Sequence, residues 1–324
     1  MLEPTGRDRD DLLRAAVAAP SMHNTQPWRF RVDGALIEVY RDRPRELPAE
    51  DPDRRMLHLS LGAAVFNLRV EAARLAYGAI ARSVLDRGRP DLVAEVELTA
   101  GGAEAEQLHL LAPAIWARRT NRQPYSDQRL PADVRRLLDV SARLEGAELQ
   151  WLDEEGRRNW LHLATADAGQ EDDRSLARTA ERRLWVGGER KADGVPTSAL
   201  GPRPTRPDVM VRDLAATPEE ANRPTATFER HPQLAILATR RDGPAEWLRA
   251  GQAMERVLLE ATAAGVSTSL LNQAIEHDTL RWLLHDPLGP WSRPQAVIRF
   301  GYGPVVPATP RRPVFDILLP QASE

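Results

Sequence analysis

Between residues 19 and 30 the chain reads Ala19-Pro20-Ser21-Met22-His23-Asn24-Thr25-Gln26-Pro27-Trp28-Arg29-Phe30. Two prolines stiffen a run of hydroxyl and amide side chains, with an apolar helix pattern before it and an alternating strand pattern after it. The amides of Asn24 and Gln26 can donate and accept along the polar edge of a ring, while Pro20 and Ser21 allow close backbone approach. Loops of this composition hold a ligand more often than they fill a core. The ordinary alternative is a rigid turn whose polar groups serve only its own backbone. His23 is the candidate for direct chemistry, although a histidine in such a loop more often packs or hydrogen-bonds locally.

The second constellation is Ala117-Arg118-Arg119-Thr120-Asn121-Arg122, ahead of Pro124, Asp127 and a helix opening at Pro131. Guanidiniums offer paired donors to phosphate oxygens and stay charged at any working pH, so Arg118, Arg119, Thr120 and Arg122 suit a phosphate monoester. In a chain whose 44 basic residues are nearly all Arg, a solvated charged face is the competing reading. A further pair, Arg311-Arg312 before Pro313, stands near the C-terminus. The run Ala264-Gly265-Val266-Ser267-Thr268-Ser269-Leu270-Leu271-Asn272-Gln273 begins with a glycine that reads first as a helix C-cap. No histidine spacing makes a metal site, and neither Gly-x-Gly-x-x-Gly nor a Walker loop occurs.

The elements that must carry these groups can be read from periodicity. Residues 10–19 predict a short helix ended by Pro20, and Trp28 to Tyr40 a hairpin turning on Asp33-Gly34. That turn would set Phe30 against Ile37, Trp28 against Val39 and Arg29 against Glu38. Helices are expected at 53–79, 131–144, 153–169, 171–186, 244–264 and 279–285, and strands at 93–98, 149–152, 234–239 and 295–300. Residues 187–224 hold six prolines (196, 202, 204, 207, 218, 224) and four glycines (187, 188, 194, 201), a composition for a lid or functional loop. Gly62-Ala63-Ala64-Val65-Phe66-Asn67-Leu68-Arg69-Val70-Glu71-Ala72 aligns without gaps on Gly251-Gln252-Ala253-Met254-Glu255-Arg256-Val257-Leu258-Leu259-Glu260-Ala261. This points to internal duplication.

Composition narrows the partners. At 324 residues two halves are the natural division, and a net charge of −3 gives no reason to expect nucleic acid. The absence of cysteine excludes a thiolate nucleophile, a disulfide framework and a Cys-ligated cluster. No apolar run reaches membrane-spanning length, and the charged start (Arg7 to Asp11) is unlike a secretion signal, so a cytoplasmic protein without membrane association is expected.

These motifs, from about residue 11 to 316, resemble the nitroreductase superfamily, and most of all its Acg-type branch of single-chain, internally duplicated members. The resemblance implies a nitroreductase-like α+β fold: two related halves, each a mixed, mainly antiparallel sheet with helices, packed as an intramolecular pseudo-dimer. The expected division is 1–115, carrying the Pro-Ser-x-x-Asn-x-Gln-Pro-Trp loop, and 116–324, carrying the phosphate site and the lid at 187–224. It also implies FMN, with Pro20, Ser21, Asn24 and Gln26 on the ring and ribityl chain and His23 beside them. Arg118, Arg119, Thr120 and Arg122, with Arg311 or Arg312, would hold the phosphate, and Asn272 and Gln273 would lie by the reactive edge of the ring.

The first half has the loop without the Arg run, and the second the run without the loop, so one FMN per chain follows. The implied activity is hydride transfer from NAD(P)H through FMN to a small electron-poor acceptor, a nitroaromatic or quinone. The alternative is a flavin-storing or regulatory protein with a covered flavin. The whole chain is expected as a monomeric pseudo-dimer or a homodimer.

Overall fold

The computed structural model describes residues 3–206, 209–215, 217–285 and 292–320. The first half runs α1 (Gly6–Val17), β1 (Trp28–Asp33), β2 (Leu36–Arg41), α2 (Arg55–Arg74), β3 (Tyr77–Ser83) and β4 (Leu92–Ala100). Short helices α3 (Ala103–Leu108) and α4 (Ala112–Ala117) lead into the second half, with α5 (Ala132–Leu144) and β5 (Glu148–Trp151). Helices α6 (Glu155–Arg174) and α7 (Leu176–Trp185) follow, then a Pro/Gly-rich stretch holding β6 (Arg203–Pro204), α8 (Pro218–Ala221) and β7 (Thr225–Ala226). The chain closes through β8 (Gln233–Thr239), α9 (Pro244–Ala263), β9 (Ser267–Leu270), α10 (Asp278–His285) and β10 (Arg293–Gly301).

The two halves are built to one plan. One sheet has the order β1-β2-β4-β3 and the other β5-β8-β10-β9, so in each the first four-stranded run is ordered first, second, fourth, third. In each, the long core helix, α2 or α9, lies between the second and third strands. The difference is the connection between the first two strands. In the first half it is the two residues Gly34 and Ala35; in the second it is everything from 152 to 232, including α6, α7 and the Pro/Gly-rich stretch. The 187–224 stretch expected as a lid thus lies within an insertion at the position of a hairpin turn.

Helices α2 and α9 meet through their aligned glycines. A Cβ on Gly62 would stand 2.1 Å from the Leu248 carbonyl oxygen, and one on Gly251 would stand 2.1 Å from the Leu59 carbonyl oxygen. Leu59 precedes Gly62 by the same three positions as Leu248 precedes Gly251, so the contact is reciprocal, as at a two-fold interface. Only glycine lets the two backbones approach this closely. The largest core cluster then runs without a break from Leu12 and Trp28 through Leu61 to Met254, Phe300 and Ile317.

Local chemistry sets the element ends. Pro244 opens α9 at a position where a missing N–H is harmless. Gly265, at φ 72°, closes it in a Schellman motif, with Val266 N donating to Ala261 O and Gly265 N to Thr262 O. The carboxylate of Asp51 accepts from Met56 N (3.0 Å) and Leu57 N (2.8 Å), supplying the cap that Arg54 does not give α2.

Three expectations change. The hairpin pairs Phe30 with Val39, Val32 with Ile37 and Arg31 with Glu38, two residues from the predicted register, because Gly34 (φ 53°) takes the first rather than the second loop position. A shift of two keeps every side chain on its expected face. The 53–79 helix stops at Arg74; Ala76 (φ 65°) turns the chain and 77–83 becomes the edge strand β3. As expected, the sheets are mainly antiparallel with a parallel component: the named strands pair antiparallel, and parallel bridges join Phe30 of β1 to Leu318 and Thr268 of β9 to Thr120. Finally, α3, α4 and β9 are additional to the sequence reading.

Candidate functional site

The loop after α1 and the Arg run after α4 face each other across the junction of the halves. Pro20, Ser21, His23, Thr120 and Arg122 line two adjoining cavities, one of about 200 Å³ and one of about 70 Å³. The larger is lined by Arg118, Arg119 and Arg311 on one side and by Val195, Ser198, Ala199 and Gly201 of the Pro/Gly-rich stretch. The smaller lies over Leu59, Ser60, Met254 and Asn272 and is roofed by Arg212 and Leu214. One end is therefore cationic and the other mostly apolar.

Left-handed backbone shapes the loop. His23 (φ 48°), Asn24 (φ 55°) and Gln26 (φ 51°) are all non-glycine residues in a conformation such residues seldom adopt. Three in four positions need strong outside support, which side chains supply. Ser21 Oγ accepts from Gln26 N at 2.9 Å. Asn24 Nδ2 donates to Gly194 O (2.9 Å) and Pro310 O (3.0 Å), and Gln26 Nε2 donates to Ala192 O (2.8 Å). Gln26 Oε1 accepts from Arg312 N at 2.8 Å. The two amides expected on a ring edge are thus spent joining the loop to the lid and the C-terminal segment.

His23 is buried, and its Nε2 pairs with the buried Glu50. Glu50 also accepts from Arg182 Nη2 (2.6 Å) on α7. Burial alone would raise Glu50, but His23 and Arg182 outweigh it and hold its carboxyl at about 2. Arg182 continues to Asp172 (2.9 Å), which also accepts from Arg178 Nε (2.6 Å) and meets His277 Nε2 at 2.9 Å. Burial opposes ionisation of Asp172 too, and His277 with the arginines overrides it, keeping that carboxyl well below its usual range. A buried ionic chain thus runs from the cavity wall at His23 into helices α7 and α6.

At the cationic end, Arg118 Nη2 donates to Ala18 O (3.2 Å) and Arg311 Nη2 to the same oxygen (3.1 Å). The Nε atoms of Arg118, Arg119 and Arg311 are buried without a hydrogen-bond partner. Burial, and then the like charge of Arg118, pushes Arg311 down to about 9. Burial and Arg212 push Arg122 down to about 10. The carboxylate facing this group is Glu255 of α9, fully buried, with its Oε1 3.4 Å from Arg118 Nε. Three guanidiniums against one carboxylate, with N–H groups left over, form a site short of an anion.

Ten of the thirteen expected site residues line the two cavities: Pro20, Ser21, His23, Asn24, Arg118, Arg119, Thr120, Arg122, Asn272 and Arg311. Gln26, Gln273 and Arg312 line neither. Gln26 is committed as above, and Gln273 is buried in the 3₁₀ turn Gln273–Glu276. Arg312 is a structural residue, binding Asp42 Oδ2 (3.0 Å), Gln26 O (3.1 Å) and Asp316 O (2.8 Å). Of the Arg311-Arg312 pair, Arg311 is the one at the cavity. Asn272 Oδ1 accepts from Val297 N at 2.9 Å, which fixes its orientation.

Sequence reasoning missed Glu50, Arg212, Glu255 and Glu276. Arg212 of the lid forks onto Glu276 (Nη2 to Oε2, 2.7 Å) beside the smaller cavity. The signal for Glu255 was available: in the aligned core helices it stands where the first half has Phe66.

A Mycobacterium tuberculosis protein provisionally named NAD(P)H nitroreductase acg is 29% identical over 97% of this chain and 97% of its own length. The Rv3131 protein of the same organism, also provisionally named an NAD(P)H nitroreductase, is 30% identical over 95% of this chain and 90% of its own length. The chain belongs to the nitroreductase superfamily, on its Acg-type branch. No protein-family model matches it. A solved Anabaena variabilis protein, provisionally named a nitroreductase, superimposes on this nitroreductase-superfamily chain with a TM-score of 0.52 at 12% identity, covering 92% of this chain and 88% of that one. A Bacteroides fragilis nitroreductase solved with bound FMN covers 61% of this chain and 92% of its own at 15% identity, with a TM-score of 0.38. Among the described residues no helix is long and apolar enough to cross a membrane.

Proposed function

We propose that the chain is an FMN-dependent oxidoreductase that takes hydride from NAD(P)H and passes it to a small electron-poor acceptor, a nitroaromatic or a quinone. The observation that carries this reading is the composite cavity: the Pro20–Asn24 loop of one half, closed against Arg118, Arg119, Thr120, Arg122 and Arg311 of the other. The residues present fit the cofactor. The unpartnered guanidinium N–H groups suit its phosphate, and the apolar end over Leu59 and Met254 suits a planar ring. FMN, when bound, accepts and releases a hydride; the protein's part is to bind, orient and shield it. Arg118, Arg119 and Arg311 would hold the phosphate, Thr120 and Arg122 line both cavities, and Asn272 would stand beside the ring. Internal duplication of a half-length ancestor accounts for the shared strand order and the reciprocal glycines. It leaves one working site, because each half retains only one jaw.

A second reading has its own observation. The lid supplies the roof of both cavities and is tied down by Asn24, Gln26, Arg182 and the Arg212–Glu276 fork. A roof that stayed closed would keep FMN and exclude NAD(P)H, which describes a flavin-storing or regulatory protein. Anaerobic stopped-flow mixing of the FMN-loaded protein with NADH and with NADPH separates the two. Bleaching of the flavin absorbance supports the oxidoreductase. Its absence with both, regained when 187–224 is shortened, supports the covered-flavin reading. A protein that takes up no FMN contradicts both.

A further inference from the structure

Among the described residues Glu255 is the carboxylate that faces the arginines of the phosphate end. It is fully buried in α9, with the guanidiniums of Arg118 and Arg311 and the amide of Asn67 around it. The charged groups facing it are Arg118, which follows α4, with Nε at 3.4 Å, and Arg311 of the C-terminal segment, with Arg119 behind Arg311. From α2 it meets the neutral amide of Asn67, whose Nδ2 donates to Ala15 O at 2.9 Å. Burial pushes its carboxyl up to about 7, against the pull of the two arginines. A phosphomonoester in the larger cavity meets the same arginines from the other side. Its second ionisation falls at about 6, so it arrives mostly as a dianion. The dianion then draws on the same two guanidiniums that hold Glu255 ionised, and so favours the protonated form of a carboxyl whose burial already opposes ionisation.

We propose that Glu255 makes the phosphate subsite proton-linked: it balances Arg118 and Arg311 before the ligand arrives, and takes up one proton when a phosphomonoester dianion becomes their partner. The residue is then a determinant of specificity for FMN over riboflavin, with a preference that grows as pH falls. The balance is simple: one proton from solvent adds to one Glu255 oxygen, and no covalent bond of the ligand changes. Phe66 at the aligned place in the first half gives that half no such group. The inference rests on the flavin reading above.

The test is the affinity of FMN, read by quenching of flavin fluorescence, from pH 6.5 to 8.5. Riboflavin and the Glu255→Gln variant are measured alongside, and wild-type proton uptake comes from calorimetry in two buffers of different ionisation heat. Across that range the wild-type dissociation constant for FMN should rise about tenfold, with uptake approaching one proton per FMN near pH 8. Riboflavin, and FMN with Glu255→Gln, should show less than about a twofold change by the same linkage. A wild-type FMN slope no steeper than that of riboflavin, an unchanged slope in Glu255→Gln, or no proton uptake overturns the assignment. If the variant does not fold, the riboflavin comparison and the proton count still decide. Failure of both flavins to bind at any pH removes the cofactor reading itself, and that differs from tight FMN binding with a flat pH profile.

Discussion

Replacing Gly251 by alanine tests the junction on which the composite site depends. The new Cβ would stand 2.1 Å from the Leu59 carbonyl oxygen and 2.8 Å from the Leu59 Cα, where ordinary contact begins at 3.4 Å. The obstacle is helix backbone, so no rotamer change relieves it, and α2 and α9 must part by more than an ångström. Inserting one methyl where side chains can yield costs about 1–3 kcal/mol. Here both helices are buried along most of their length, so the penalty belongs at or above the top of that range. Alanine returns about 0.5–1 kcal/mol of helix preference, leaving a net loss of about 2–3 kcal/mol. Reciprocity adds a sharper expectation. Gly62→Ala should cost about as much, and the double variant less than the sum, because both methyls require the same separation of the same helices. Gly156→Ala, in α6 with nothing within 4 Å of the new methyl, is the control and should be neutral or slightly stabilising. Urea unfolding at constant m measures each difference. Gly251→Ala within 0.5 kcal/mol of wild type, or additive losses in the double variant, would refute the reasoning.

Three other outcomes follow from buried charge. Glu50→Gln leaves Arg182 with Asp172 alone as its carboxylate partner and removes the partner of buried His23, so stability should fall by about 3 kcal/mol in urea titrations, and FMN should dissociate faster. Glu255 and Asp51 have folded carboxyls raised by burial, to about 7 and about 6. The native state therefore holds protons that the unfolded chain has released, and stability without flavin should decline as pH rises from 5 to 8, by a few kcal/mol in total. Glu50 and Asp172, with lowered carboxyls, act in the opposite sense only below about pH 4, where their stabilisation is lost on acidification. A midpoint in urea that rises from pH 5 to 8 would contradict this. Arg118→Ala combined with Arg122→Ala should release FMN, seen as colourless purified protein; unchanged FMN affinity would refute the phosphate assignment.

Much of the site was legible because its chemistry is local in sequence. Pro20, Ser21 and His23 share one loop, and Arg118 to Arg122 one turn, so their side-chain types together with the family resemblance of the two runs brought them forward. The aligned Gly62 and Gly251 segments likewise led to the two core helices that pack on each other. What was missed depends on distant partners. Nothing near Gln26 announces that its amide will join Ala192 and Arg312, and nothing near Glu50 announces Arg182. The hairpin register moved by two because one glycine suits either loop position, and the face pattern is the same for both. The 53–79 helix was overrun because Tyr77 to Ser83 is an edge strand with weak alternation, and its partner β4 lies beyond a turn.

The central claim is that two unlike jaws build one flavin site in each chain. It is tested most directly by saturating the purified protein with FMN, removing free flavin, and measuring bound flavin against protein concentration. The account predicts one FMN per chain, lost when Arg118 and Arg311 are both replaced by alanine. Two per chain, or none after reconstitution, would contradict it.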